Sequence, residues 1–189
     1  MFHTDWVIRS MGNMEIRRYE DSDLELIKKW STDEKTHLMW CAGRTDYPIT
    51  KESFDALLDD ISKRCGDVPY VALDDSGVPV GFYCYSYNGE THEGMLKFVI
   101  VDPARRGCGL GRRMIGAAVE KAFSSPEVQA VHLMVFTENP RARKCYESVG
   151  FKERHTTPDA FKCKFGSWGR CNMVIEREVA ESGASEREQ

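Results

Sequence analysis

The sequence predicts a mixed α/β fold (α+β) in a single domain, on three observations. Segments of strand pattern and of helix pattern are interleaved along the chain. The clearest apolar runs, at 95–101 and 131–136, have the length of buried strands. With 189 residues and 41% hydrophobic content, the chain can bury one core, whereas two halves would each be marginal.

The elements follow in order. Residues 1–13 read as a tail, with Met11 before the first strand and Met14 at its start, and that strand, MEIRRYE (14–20), alternates apolar and polar. Asp21 or Ser22 is placed to cap a helix running through Trp30. The stretch 31–49, with Trp40, Tyr47 and Pro48, reads as a connection. Thr50 opens a second helix with Phe54, Leu57, Leu58 and Ile61 at helical spacing, although Ser53 stands where a capping box wants Glu. YVALD (70–74) and VPVGFYCYSY (78–87), joined by Asp75-Ser76-Gly77, predict a hairpin. MLKFVIV (95–101) predicts a strand in the sheet interior. LGRRMIGAAVEKAF (110–123) carries a helical apolar stripe, VHLMVF (131–136) reads as a buried strand, and PRARKCYESV (140–149) as a helix closed by Gly150. A strand is expected from Phe151 onward and a last one at roughly 170–178, after a turn Gly166-Ser167-Trp168-Gly169. From Ala180 the Glu, Ser and Gly content predicts a disordered tail, so the domain is expected over 14–179.

Composition excludes several classes of function. The seven cysteines form no CxxC pair, and the five histidines are scattered with no HExxH, so neither a metal site nor a redox pair is expected. The net charge of −4 comes from interspersed acids and bases, with no basic stripe for a phosphate backbone; no nucleic-acid partner is expected. No run of membrane-spanning length is present, and Asp5 and Arg9 interrupt the start where a signal peptide would need an apolar stretch. These features predict a cytoplasmic protein with no membrane partner.

The informative stretch is VIVDPARRGCGLGRRM (99–114): a strand, a turn containing proline, three glycines at 107, 109 and 111, then a helix. Such a junction aims unpaired backbone N–H groups and the positive end of a helix dipole at one point, which is an anion site. Glycines let the backbone approach a phosphate, while Arg106 and Arg112 add charge. A Walker loop would need GK[ST], and a dinucleotide fingerprint GxGxxG where this chain has GxGxG.

The loop Arg106-Gly107-Cys108-Gly109-Leu110-Gly111 resembles the [RQ]xxGx[GA] signature of the GNAT superfamily of acetyl-CoA-dependent N-acetyltransferases. Asn139, Ala142, Tyr146, Gly150 and Phe151 match the family's NxxAxxxYxxxGF pattern. The resemblance implies a mixed, mostly antiparallel twisted sheet flanked by helices, with a V-shaped split between strands 95–101 and 131–136. It also implies acetyl-CoA as cofactor and a primary amine, small molecule or peptide, as acceptor. The first helix and PITKESF look similar to the subgroup with ribosomal-protein N-terminal and small-amine acetyltransferases.

The resemblance assigns roles by position. Backbone groups of Val99, Ile100 and Val101 would pair with the pantetheine arm and face the oxyanion, and the N–H groups from Gly107 through Cys108, Gly109, Leu110 and Gly111 to Arg112 would cradle the pyrophosphate. Asn139 would hydrogen-bond the arm, Arg143 or Lys144 would reach the outer phosphate, and Tyr146 would protonate the leaving thiolate. The general base stays open, because the positions where relatives carry Glu hold Met134 and Met95 here; Glu93, Glu138 or water are the substitutes. Cys108 and Cys145 lack a sequence partner that would activate a nucleophile. The acceptor groove is expected from residues 21–64 and 152–170, with Trp30, Trp40, Tyr47 and Trp168 as candidate walls. A non-catalytic acyl-CoA sensor is the alternative, and a homodimer is compatible with the sequence.

Overall fold

The computed structural model describes residues 14–178; both expected tails, 1–13 and from Ala180, lie outside the described residues. Strand β1 (Glu15–Arg18) pairs antiparallel with β2 (Val68–Leu73). The helix cap expected at Asp21 or Ser22 lies elsewhere: the helix through Trp30 begins after Asp23, whose side chain also fixes the turn out of β1. Its buried carboxylate takes both Arg17 guanidinium nitrogens at 2.7 Å and the Glu20 N–H at 2.9 Å. A fork of two charge-assisted bonds holds this bend more firmly than a single cap. A short 3-10 turn (Asp21–Asp23) leads into helix α1 (Leu24–Trp30), which buries Leu24, Ile27 and Trp30.

The stretch expected to be a connection contains a helix, α2 (Glu34–Cys41). Asp33 caps it, accepting from the Thr36 N–H at 2.9 Å and the Thr36 hydroxyl at 2.6 Å. Leu38, Met39, Trp40 and Cys41 run consecutively and show no helical stripe. What holds α2 is a buried polar set: His37 Nδ1 lies 3.1 Å from Ser31 Oγ, while Nε2 lies 3.1 Å from the Thr45 carbonyl and 3.2 Å from Cys41 Sγ. Helix α3 (Lys51–Cys65) starts at Thr50, whose Oγ1 accepts from the Ser53 N–H at 3.1 Å. Ser53 Oγ accepts in return from the Thr50 N–H at 3.4 Å, so it does the work expected of Glu.

Strands β3 (Pro79–Asn88), β4 (Glu93–Val101), β5 (Ala130–Phe136), β6 (Lys152–Cys163) and β7 (Gly166–Glu176) complete one sheet of order β1-β2-β3-β4-β5-β7-β6. Every neighbouring pair is antiparallel except β4 and β5. Helices α4 (Leu110–Phe123) and α5 (Pro140–Val149) pack on one face around Leu96, Met114, Ile115, Val131 and Leu133; α1 and α3 cover the other face of the first strands around Phe54, Val71, Phe82 and Ile100. No helix among the described residues is long and apolar enough to cross a membrane.

The turn between β6 and β7 is Lys164–Phe165, followed by Gly166 at φ 114°, and the stretch expected to turn at 166–169 is strand. Gly169 is there because Thr137 crosses close to it: a Cβ would stand 2.9 Å from Thr137 Cγ2, and the Gly169 N–H donates to Thr137 Oγ1 at 3.0 Å.

The sheet parts at its centre. β4 and β5 pair from Glu93↔Ala130 to Leu96↔Leu133 and no further, although both strands continue. Beyond that point β4 follows β3 and β5 follows β7, as far as Gly81↔Val101 and Phe136↔Arg170. The parting coincides with a bulge, where the β3–β4 register shifts between Phe82 and Cys84 and Phe98 takes φ 51°. A bulge bends the strand that carries it, which swings the end of β4 away from β5.

Candidate active site

A cavity of about 460 Å³ fills the split. The bulged end of β4 and residues Thr36, Met39 and Trp40 of α2 form one wall, and Leu133, Met134 and Val135 of β5 the other. Trp40 Nε1 donates to the Phe98 carbonyl at 2.7 Å, satisfying a backbone group that the bulge removes from the ladder.

At one end lies the glycine loop. Asp102 Oδ1 accepts from the Ala104 N–H at 2.9 Å and fixes the turn out of β4. Gly107 and Gly109 follow in left-handed conformations, φ 88° and 76°. Gly109 is the N-cap of α4, and no side chain there accepts from the helix, so the first-turn N–H groups remain without a side-chain partner. Arg105 and Arg113 are drawn to Asp74 and Asp75 of the β2–β3 turn, both at 2.6 Å, while Arg106 and Arg112 line the cavity. At Gly111 a Cβ would stand 3.2 Å from Cys145 Sγ, which marks the close approach of α4 and α5.

Most residues expected at the site come together here. Val99, Ile100, Val101, Arg106, Gly107, Gly109, Leu110, Gly111, Arg112, Asn139 and Tyr146 line one cavity. Cys108 is exposed and does not line it. Arg143 is a correction: it pairs with Glu147 at 2.9 Å and Glu153 at 2.7 Å, off the cavity. The α5 cations that line the cavity are Arg141 and Lys144, because successive residues of a helix point about 100° apart. Asn139 spends its side-chain oxygen on capping α5, accepting from the Ala142 N–H at 3.1 Å, which leaves its amide nitrogen for a ligand.

Tyr146 is 7% exposed, and its ring lies 6.1 Å from that of Phe151. Burial pushes its phenol above the ordinary range, so the proton stays on at neutral pH. Neither substitute base is in the cavity. Glu93 sits at the closed end of the split, paired with Arg154 at 2.6 Å, and that guanidinium holds its carboxyl below the usual range. Glu138 accepts from the Thr137 hydroxyl at 2.8 Å outside the cavity. Among the described residues, no carboxylate and no imidazole lines the cleft. Met134, where some relatives are expected to carry Glu, lines it and is 37% exposed.

Of the four candidate aromatics, only Trp40 lines the cavity; Trp30 and Trp168 are core, and Tyr47 is exposed beside His37. Sequence reasoning missed Thr36 and Met39, which had no helix to stand on, and Arg141, which lay inside the second motif.

The acetyltransferase (GNAT) family model matches residues 19–151. The chain is 27% identical over 168 residues to the aminoglycoside N(6')-acetyltransferase type 1 of Klebsiella pneumoniae, covering 81% of this chain and 82% of that one. It is 25% identical over 154 residues to the spermidine N(1)-acetyltransferase of Vibrio cholerae, covering 79% and 86%. Among solved structures, the Vibrio cholerae spermidine N-acetyltransferase in complex with CoA and spermine matches with a TM-score of 0.72 at 21% identity, over 86% of this chain and 95% of that one. At that identity the likeness carries the fold.

Proposed function

Because the chain belongs to the GNAT acetyltransferase family and is an enzyme that moves an acetyl group from acetyl-CoA to a primary amine, we propose that the split between β4 and β5 is its reaction cleft and that the acceptor is a small cationic amine. One observation carries the reading. Tyr146 lines the same cavity as Gly107, Gly109 and Gly111 at the start of α4, where first-turn N–H groups have no side-chain partner.

The residues fit the cofactor. Left-handed glycines and the N–H groups opening α4 suit a pyrophosphate, with Arg106 and Arg112 adding charge-assisted contacts. Arg141 and Lys144, in place of Arg143, would meet the outer phosphate, and the amide nitrogen of Asn139 the pantetheine arm. The edge of β4 beyond Leu96 has no strand neighbour and offers its backbone to an extended arm. Bound acetyl-CoA supplies the thioester and, after transfer, a thiolate in need of a proton. A backbone N–H near Val101 would face the charge growing on the carbonyl oxygen. Tyr146 holds a proton at its hydroxyl and gives it up there. With no base lining the cleft, the acceptor's own proton leaves through water.

Residues 14–179 are the catalytic unit in this reading, and the cytoplasm is its place. Relatives named for aminoglycosides and spermidine favour small polycationic acceptors. The alternative, a non-catalytic sensor, is not favoured, since those relatives are enzymes. Thiol release from acetyl-CoA across aminoglycosides, polyamines, monoamines and peptides with a free α-amine tests the proposal. Release with the small cations is expected, and release with peptides alone would overturn the acceptor class.

A further inference from the structure

With no carboxylate in the cleft, something else must hold a cationic acceptor, and the rim carries a candidate. Helix α2 stands on the β4 side, where Thr36, Met39 and Trp40 form the wall. The β6–β7 hairpin stands on the β5 side, with Trp168 packed 5.3 Å from Phe136 at the end of β5. Since β4 and β5 no longer pair beyond Leu96 and Leu133, a contact between α2 and the hairpin links the β4 side of the split to the β5 side. One exists: the ammonium of Lys164, at the hairpin turn, is bound to the carboxylate of Glu34, in the first turn of α2.

The same ammonium lies 5.3 Å from the centre of the Phe165 ring. That ring is 42% exposed and is braced at 6.4 Å by Trp168, with which it stacks. A carboxylate and an aromatic face converging on one ammonium are the chemistry of an ammonium receptor. Its occupant here is tethered to the protein. The Lys164 and Glu34 side chains are 57% and 39% exposed, and exposed pairs of this kind are weak and screened, so the occupant can be displaced.

We propose that Glu34 and Phe165 form the site for a second ammonium of a di- or polycationic acceptor, and that Lys164 occupies this site until the acceptor displaces it. The proposal rests on the amine-transfer reading above and adds the basis of selectivity. A monoamine uses the cleft alone, whereas a polycation also gains the rim contact. The Lys164 ammonium is the competitor it must beat.

The test compares Glu34→Gln and Lys164→Ala with the parent enzyme, with Lys28→Ala, on the outside of α1, as a charge control. The readouts are the ratio of kcat/KM for spermidine to that for butylamine, and the Kd of spermidine for the CoA complex by calorimetry. Glu34→Gln should lower the ratio and weaken spermidine binding by roughly tenfold each, the scale of one charge-assisted contact. Lys164→Ala should raise the ratio and tighten spermidine binding about threefold, since a weak competitor is removed. A Glu34→Gln protein with the parent's ratio and Kd overturns the proposal, as does a Lys164→Ala protein that binds spermidine more weakly. If butylamine is acetylated while spermidine binding ignores Glu34, the rim site fails and amine transfer stands. If spermidine binding depends on Glu34 but neither amine is acetylated, the rim site stands and amine transfer fails.

Discussion

The wall of the cleft that runs from β4 through the glycine loop into α4 presents mainly backbone, with left-handed glycines and unpaired first-turn N–H groups, whereas α2 and the β6–β7 hairpin present mainly side chains. The first needs N–H groups that point outward and glycines that let a phosphate reach them, so few sequences can build it. The second needs only an aromatic surface and a charge at the right place, which many residues on many frames can supply. On the proposed reading, that difference makes one wall a family signature and the other the place where acceptor preference is set.

The largest expected effect lies between the two walls. Tyr146→Phe should lower the single-turnover rate of acetyl transfer by 10²–10⁴-fold, the usual reach of general-acid assistance, with acetyl-CoA affinity and Tm little changed. Tyr146 lines the cavity, and the change to Phe keeps its ring against Phe151. Because burial raises the Tyr146 pKa, the active protonated form persists as pH rises and is lost only above the ordinary phenol range. A pH–rate profile should therefore show no loss between pH 7 and 9 that disappears in the Phe variant. A parent-like single-turnover rate would remove Tyr146 from the chemistry.

Gly109→Val attacks the backbone wall. At φ 76° a branched residue is strained, and its Cβ would stand in a space that no protein atom within 4 Å now occupies. Acetyl-CoA affinity should fall by ~100-fold or more while circular dichroism keeps its shape, since the block is to ligand and not to packing. Normal binding by this variant would break the contrast between the walls.

Trp40→Phe probes the side-chain wall and should behave differently. Loss of the Nε1 donor leaves the Phe98 carbonyl unpaired at about 1–3 kcal/mol, lowering Tm and raising the acceptor KM more than the acetyl-CoA Kd. Equal effects on both ligands would mean that the β4 bulge is shared by both sites. The smallest effects separate neighbouring cations on α5. Arg141→Ala should weaken acetyl-CoA severalfold, as an exposed phosphate contact does, whereas Arg143→Ala should stay within about twofold. Reversed outcomes would return the outer phosphate to Arg143.

Where strong local rules operate, the sequence was a good guide. Helices 110–123 and 140–149, the hairpin and the interior strand all carried a stripe, a cap or a turn that acts within a few residues. The failures share a cause. Helix α2 is held by His37 bonding to Ser31 and Thr45 rather than by an apolar stripe, and periodicity does not register such contacts. Gly169 looked like a turn residue because a glycine demanded by Thr137 is indistinguishable in sequence from one demanded by positive φ. Arg143 and Lys144 are adjacent in the chain, and only the packing of α5 against α4 decides which of them faces the cleft.

By itself, then, the sequence determined the wall that we assign to the cofactor: a strand, a glycine loop and a helix whose spacing leaves N–H groups unpaired, and a second motif that delivers Asn139 and Tyr146 to the same cavity. Only the tertiary structure decided what surrounds the proposed acceptor side. It left Glu93 and Glu138 off the cavity wall, set the Trp40 indole N–H on the Phe98 carbonyl, and brought Lys164 to Glu34, 130 residues apart in the chain. The physical reason is range. Backbone cradles and caps are written in neighbouring residues, whereas Lys164 and Glu34 meet only when distant elements have packed together.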